Sequence, residues 1–321
     1  MTPYCTANNS LSLVPDGSEA HPHLTINVYI GILYLSLGAI GIPLSCFVLS
    51  VFCTPALFDH PCYKLMVINN ILDIWNLVNA CIFGGLFSVF ELTHCTAYFV
   101  SFVASTQFAV WFAYCGSSQV LALNRTIQFV NKDWAEALFA GRRTYLWMAV
   151  PCLYSAGIYL AVPDPFYFYN PYEGSYYFPR TSGEVNFVQV FGNFFKTGFV
   201  TTSYVLMVIF MFKDLKKVNR EATLMFQVKV SMQTLAIAAL GDLVALAYMG
   251  ESYLPLPQEF LKYAGTVAQL LWILLHAGTA VVYIIMNKSV NAELRKHIAF
   301  LKGCKHRAVA SVTGITSAFS N

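Results

Sequence analysis

Leu121-Ala122-Leu123-Asn124-Arg125-Thr126 closes a stretch in which no Asp, Glu, Lys or Arg occurs from Leu92 through Asn124. A bilayer core about 30 Å thick takes roughly 20 apolar residues per helical crossing, so this stretch is long enough to span it. Arg125 then falls where hydrocarbon gives way to water, and the reading predicts that it ends a membrane helix at the inner face. The whole chain supports that solvent. It is 57% hydrophobic and only 11% charged, whereas soluble domains run near a quarter charged.

Working outward from Arg125, the apolar runs predict seven crossings: Val28–Cys53, Cys62–Phe90, Cys95–Arg125, Thr144–Val162, Phe187–Phe212, Val228–Gly250 and Phe260–Met286. Pro43 lies inside the first and predicts a kink there. The expected organisation is a polar tail over 1–27, an all-α membrane domain over 28–286, and an inner tail over 287–321. That inner tail begins with a short amphipathic helix over Asn291–Leu301. The N-terminus lacks a Lys/Arg-led short apolar segment, so the first crossing is expected to act as an uncleaved signal.

Orientation follows from where the basic residues sit. With the N-terminus outside, inner segments hold Lys64, the group Arg125, Lys132, Arg142 and Arg143, the group from Lys213 to Lys229, and the group from Lys288 to Arg307. Sixteen of the 19 Lys and Arg then lie inside, leaving Arg180, Lys196 and Lys262 outside. N-terminus out, C-terminus in is the predicted topology. It also sorts three Asn-x-Ser/Thr sequons: Asn8 is outside and open to glycosylation, whereas Asn124 and Asn287 lie on the inner side.

The polar residues inside apolar runs are the candidates for function, because ionisable groups in a bilayer are costly unless they face the bundle interior. Asn69, Asp73 and Asn76 form a stripe on the second crossing, read either as a functional polar core or as packing glue. Asp242 and His276 lie in the outer half of the sixth and seventh crossings. With Gln107, Trp111, Tyr114, Asn193 and Lys196 they make a candidate outward pocket, in which Lys196 is placed to pair with Asp242. His276 has a structural rival reading, and Asp242 is the stronger candidate for ligand selectivity. The aromatic loop from Phe166 to Phe187 suits a membrane interface or a lid over that pocket. No H-E-x-x-H, G-x-S-x-G or clustered His/Cys spacing is present, so neither an enzyme nor a metal or cofactor site is expected, and nothing points to nucleic acid. A transporter or channel, with Asp73, Asp242 and His276 as an ion path, is the alternative reading; the third and fourth crossings offer little polarity below the outer half.

Four segments taken together carry a family likeness: His60-Pro61-Cys62-Tyr63-Lys64-Leu65-Met66, Leu121 to Arg125, Leu138-Phe139-Ala140-Gly141-Arg142-Arg143-Thr144, and Leu271 to Gly278 continuing through Tyr283 and Asn287. They resemble nematode serpentine chemoreceptors of class T, over nearly all the chain from the first crossing to about Ile298. The resemblance implies a rhodopsin-like seven-helix bundle that binds a small molecule and activates a heterotrimeric G protein. It places the chain in the plasma membrane, in a sensory cilium.

That likeness also implies roles. Asn124 and Arg125 stand where the wider superfamily has an acid-Arg-aromatic triplet, a cation freed to meet the G protein, although here no adjacent acid is present. A plain inner-face anchor is the rival reading of Arg125. With Asn124 in the acid's place, Glu221 or Gln227 are partners only by topology. Tyr283 and Asn287 occupy a switch region that has lost its Asn-Pro pair. Asp73 matches an acid that holds sodium in related receptors. Cys95 stands at the height of the usual outer disulfide, with Cys5 as the other extracellular cysteine, and Cys304 is placed for palmitoylation. A light-sensing role needs a lysine within the seventh crossing, and only Lys262 and Lys288 at its ends are available.

Overall fold

The computed structural model describes residues 4–5, 11–12, 24–161, 167–177, 187–217, 222–253, 257–296 and 299. Seven helices in it are long and apolar enough to cross a membrane. They are α1 Leu24–Phe52, α2 Pro61–Val89, α3 Tyr98–Val130, α4 Arg143–Ala161, α5 Phe187–Lys217, α6 Ala222–Tyr253 and α7 Gln258–Met286. Short antiparallel strands pair β1 Tyr4–Cys5 with β2 Leu11–Ser12, and β3 Phe168–Asn170 with β4 Ser175–Tyr177.

The third crossing departs from the expectation that Arg125 ends it. Ile127, Phe129 and Val130 carry the helix on, and Asn131 stops it by turning extended and capping the helix Lys132–Phe139 through Trp134 N at 3.1 Å. Arg125 therefore sits more than a turn inside the helix end. At the outer end, α3 starts at Tyr98, because Thr93 to Ala97 form a turn closed by Thr96 Oγ1.

α3 is the centre of the bundle, packed against α2, α4 and α5, while α7 closes the ring between α6 and α1. Small residues permit the tightest approaches, as expected for helices in lipid. A Cβ on Gly31 would lie 2.7 Å from Gly85 O, so α1 and α2 meet backbone to backbone. Large apolar side chains such as Leu146, Leu153 and Leu160 of α4 point outward, as suits a lipid-facing helix.

α2 is not a uniform helix. Val78–Phe83 is a π-helical segment that leaves α-type pairing locally, and Gly84 N bonds back to Asn79 O. Irregular backbone at membrane depth is tolerated only where protein satisfies it. The outer hairpin does so here: Tyr176 Oη donates to Asn79 O at 3.0 Å and Tyr169 Oη to Gly84 O at 2.7 Å.

The inner loop segment Leu138 to Thr144 has a mechanical explanation. Phe139 is buried and stacks on Trp147, Gly141 takes a φ of +60° to reverse the chain, and Thr144 Oγ1 bonds Phe139 O. This fixes the short helix Lys132–Phe139 against the foot of α4. A helix over 288–296 follows α7, starting earlier than the expected Asn291.

Candidate functional site

Spacing puts the polar residues on common faces. Asn69, Asp73 and Asn76 fall at i, i+4 and i+7 on α2, and Gln107, Trp111 and Tyr114 do the same on α3. Gln269, Trp272, His276, Thr279 and Tyr283 share the inward face of α7, and all are buried.

Under the hairpin these faces enclose an upper cavity walled by Gln107, Phe108, Trp111, Tyr167, Gln189, Asn193, Ala245, Tyr248 and Trp272. Trp111 Nε1 donates to Asn193 Oδ1 at 3.1 Å, and Gln107 Nε2 donates to Asn76 Oδ1 at 3.3 Å. Three of the predicted pocket residues, Gln107, Trp111 and Asn193, are therefore brought together here. The other four are not on its wall.

Tyr114 and Lys196 instead line a second, deeper cavity with Asn69, Asp73, Tyr204, Thr234, Thr279 and Tyr283. His276 Nδ1 lies 2.6 Å from Asp73 Oδ1, both side chains fully buried, so one proton is shared between α2 and α7. Lys196 Nζ lies 2.8 Å from Asp242 Oδ1, and Thr201 donates to Asp242 Oδ2 at 3.1 Å. Gly241 leaves room for that ammonium, since a Cβ there would stand 3.0 Å from Nζ. Asp242 faces the seam between α5 and α6.

The deeper cavity is about 20 Å³, room for about one water. A sodium ion at Asp73 does not fit this set of residues. One carboxylate oxygen already belongs to His276, and the Lys196 ammonium lines the same small space.

An aromatic column joins the two cavities. Trp111 and Trp272 have ring centroids 4.4 Å apart, Trp272 lies 5.3 Å from the His276 ring, and Tyr114 meets that ring edge-on at 4.9 Å. Trp272 thus touches the upper cavity on one side and the Asp73 partner on the other.

The hairpin roof is tied to three helices. Tyr34 of α1 donates to Gly174 O at 2.9 Å, Thr266 of α7 donates to Glu173 O at 2.7 Å, and Tyr169 meets Ser88 of α2 at 2.6 Å. Burial raises the Glu173 carboxyl above its usual range and lowers the His94 imidazole below its own; the His94 ring lies 4.2 Å from Phe168. Cys95 is disulfide-bonded, and its expected partner Cys5 has a side chain outside the described residues, as does Asn8 with its sequon.

At the inner face, Arg125 is buried and does not reach out to headgroups; its Nη2 donates to Asn124 Oδ1 at 2.6 Å. Among the described residues no carboxylate pairs with it. Glu221 and the side chain of Gln227 lie outside those residues, as does Cys304. Tyr283 is buried edge-on to Phe52 at 4.9 Å. Asn287 Nδ2 donates to Tyr63 Oη at 3.1 Å and to Gln233 Oε1 at 3.4 Å, linking α7 to α2 and α6.

A family model described as serpentine type 7TM GPCR chemoreceptor Srt matches residues 14–307. The chain belongs to the Srt family. No curated protein sequence matches it. Among solved structures, squid rhodopsin superposes with a TM-score of 0.67 at 13% identity, covering 90% of this chain and 92% of that one. This likeness shows a shared seven-helix fold.

Within this Srt receptor the family-like segments now have physical roles. Pro61 opens α2 at its first turn, Tyr63 holds Asn287, and Lys64 lies over the Phe58 and Tyr145 rings. Sequence reading missed Phe108, Gln189, Ala245, Tyr248 and Trp272 on the cavity wall, and held Tyr167 only as part of the aromatic loop. Trp272 had a findable signal, because it stands four residues before His276 on one helix face. The hairpin tyrosines offered only an aromatic-rich loop.

Proposed function

We propose that this Srt receptor binds a small molecule in the upper cavity and activates a heterotrimeric G protein at its inner face, from the plasma membrane of a sensory cilium. The observation that carries this reading is the shared position of Trp272, which walls the cavity and contacts His276. A ligand that moves Trp272 disturbs the Asp73–His276 link between α2 and α7, and with it the deeper cavity that reaches Tyr283. A rearrangement of α7 and α6 would then alter the Asn287 tie and uncover Arg125. A Cys5–Cys95 bond would hold the outer tail against the top of α3, which non-reducing peptide mapping would reveal.

The test is ligand-driven G-protein dissociation in cells expressing the full chain, screened with small organic molecules. The expected result is dissociation that is lost in Trp272→Ala. Ligand-evoked current in cells lacking functional G proteins would sink the reading in favour of a channel.

A further inference from the structure

We infer that the upper cavity takes a small, uncharged, planar ligand bearing both a hydrogen-bond donor and an acceptor, of the aromatic carboxamide or lactam class. This rests on the proposal that the cavity is the ligand site, and it adds what that site would recognise.

Two residues of the wall each carry a buried polar atom without a partner among the described residues: Gln107 Oε1, an acceptor, and Trp272 Nε1, a donor. Their residues are 2% and 5% exposed, so bulk solvent does not reach them. A buried polar atom without a partner is costly, and a ligand that supplies one removes that cost. The pair asks for one donor and one acceptor on the same molecule, which a carboxamide or lactam group presents side by side.

The rest of the wall sets the body and the charge. Aromatic rings of Phe108, Trp111, Tyr167 and Tyr248 favour a flat apolar frame. Among the described residues, no Asp, Glu, Lys, Arg or His lines the cavity. Two charged pairs of the bundle interior are already engaged, Lys196 with Asp242 and Asp73 with His276. A carboxylate would enter without a cation, and an ammonium without an anion. An aromatic cage does attract cations through its ring faces, so the ammonium class is the rival to be tested. The cavity is about 20 Å³ as closed, so the ligand makes its room by displacing wall rings, which favours one-ring frames.

The experiment uses the purified full-length receptor in nanodiscs and follows thermal unfolding with matched probes: benzamide, nicotinamide and 2-pyridone against benzylammonium, benzoate and toluene. The amides and lactam are expected to raise Tm and the other three to leave it unchanged. Trp272→Phe keeps an aromatic ring but removes Nε1–H together with part of the indole, so the unliganded variant should unfold earlier than wild type from lost packing. Its amide Kd should rise by roughly two- to tenfold or more, the lower range being the worth of one neutral hydrogen bond. Gln107→Leu should weaken the same probes by a similar factor.

Three results overturn the inference: a larger shift with benzylammonium or benzoate, no shift with any amide or lactam, or unchanged amide affinity in both variants. Nucleotide exchange on an added G protein separates the two readings. An amide that binds without driving exchange refutes coupling and leaves the ligand class standing. Exchange driven only by a charged probe refutes the ligand class and leaves coupling standing.

Discussion

Asp73 Oδ1 and His276 Nδ1 meet at 2.6 Å in the middle of the bundle, 203 residues apart in sequence, and neither side chain reaches solvent. Among the described residues Asp73 Oδ2 and His276 Nε2 have no partner, so each residue depends on the other for its buried polarity. Asp73→Ala should therefore lower stability by about 1–3 kcal/mol, the cost of stranding a buried group. His276→Ala should cost a similar amount, and the double variant less than the sum, with a coupling of about 0.5–3 kcal/mol. Thermal unfolding in nanodiscs measures all three. Exchanging sodium for potassium at fixed ionic strength should leave wild-type Tm unchanged; a sodium-dependent rise that vanishes in Asp73→Ala would show an ion at this site.

Arg125 is buried and, among the described residues, its side chain hydrogen-bonds to its neighbour Asn124, so its charge is held among helices and not spread into headgroups. Arg125→Ala should keep surface expression and lose G-protein activation by at least about tenfold, a coupling free energy on the order of 1.4 kcal/mol. Nucleotide exchange in membranes with matched receptor levels is the measurement. Undiminished exchange would make Arg125 a structural cation only.

The seven helices were legible in the sequence because they depend on a local property, charge-free apolar runs. The shared faces of Asn69, Asp73 and Asn76, and of Gln107, Trp111 and Tyr114, were legible from helical spacing. Pairing between faces was not, since nothing local to Asp73 points to His276. The π-segment Val78–Phe83 contains no proline to announce it, and its freed carbonyls find partners in Tyr169 and Tyr176 about 90 residues later. The end of α3 was misplaced because Arg125 was read as a boundary, whereas the stop signal is Asn131.

Gly174 is the hinge point of the hairpin roof. Its φ of +62° favours glycine, and a Cβ there would stand 3.0 Å from Ile30 Cγ2 and 3.4 Å from Tyr34 Oη, beside the bond from Tyr34 Oη to Gly174 O. Gly174→Ala should cost about 1–2 kcal/mol from backbone strain alone. It should also loosen the hairpin, read as faster hydrogen exchange at 168–177. Unchanged exchange there would mean that α1 gives way at no cost.

The roof also carries opposite pH responses. Burial lowers His94 from its ordinary value of 6.5, so its contribution is present above that value and is lost as pH falls through the folded-state pKa. Burial raises Glu173 from 4.5, so its contribution is present below that value and is lost as pH rises through the folded-state pKa. Glu173→Gln should therefore raise Tm near neutral pH and change little in acid, whereas His94→Gln should lose ground to wild type near neutral pH and recover it in acid. Unfolding scans from about pH 5 to about pH 8 distinguish the two. Parallel curves for wild type and both variants would show that neither group titrates with the fold.

Asn287 divides one amide between two jobs. Its Oδ1 accepts from Ser289 N at 3.0 Å and Val290 N at 3.3 Å, capping the helix over 288–296, while Nδ2 holds Tyr63 of α2 and Gln233 of α6. Asn287→Asp keeps the acceptor, and its charge suits a helix N-terminus, but it removes the donor. Asn287→Ala removes both, at about 0.5–2 kcal/mol for the cap alone. If α6 must part from α7 for a G protein to enter, both variants should raise ligand-independent nucleotide exchange, and only Asn287→Ala should unprotect 288–296 to hydrogen exchange. Raised exchange in the alanine variant alone would assign the switch to the tail helix, and unchanged exchange in both would leave Asn287 a purely structural joint.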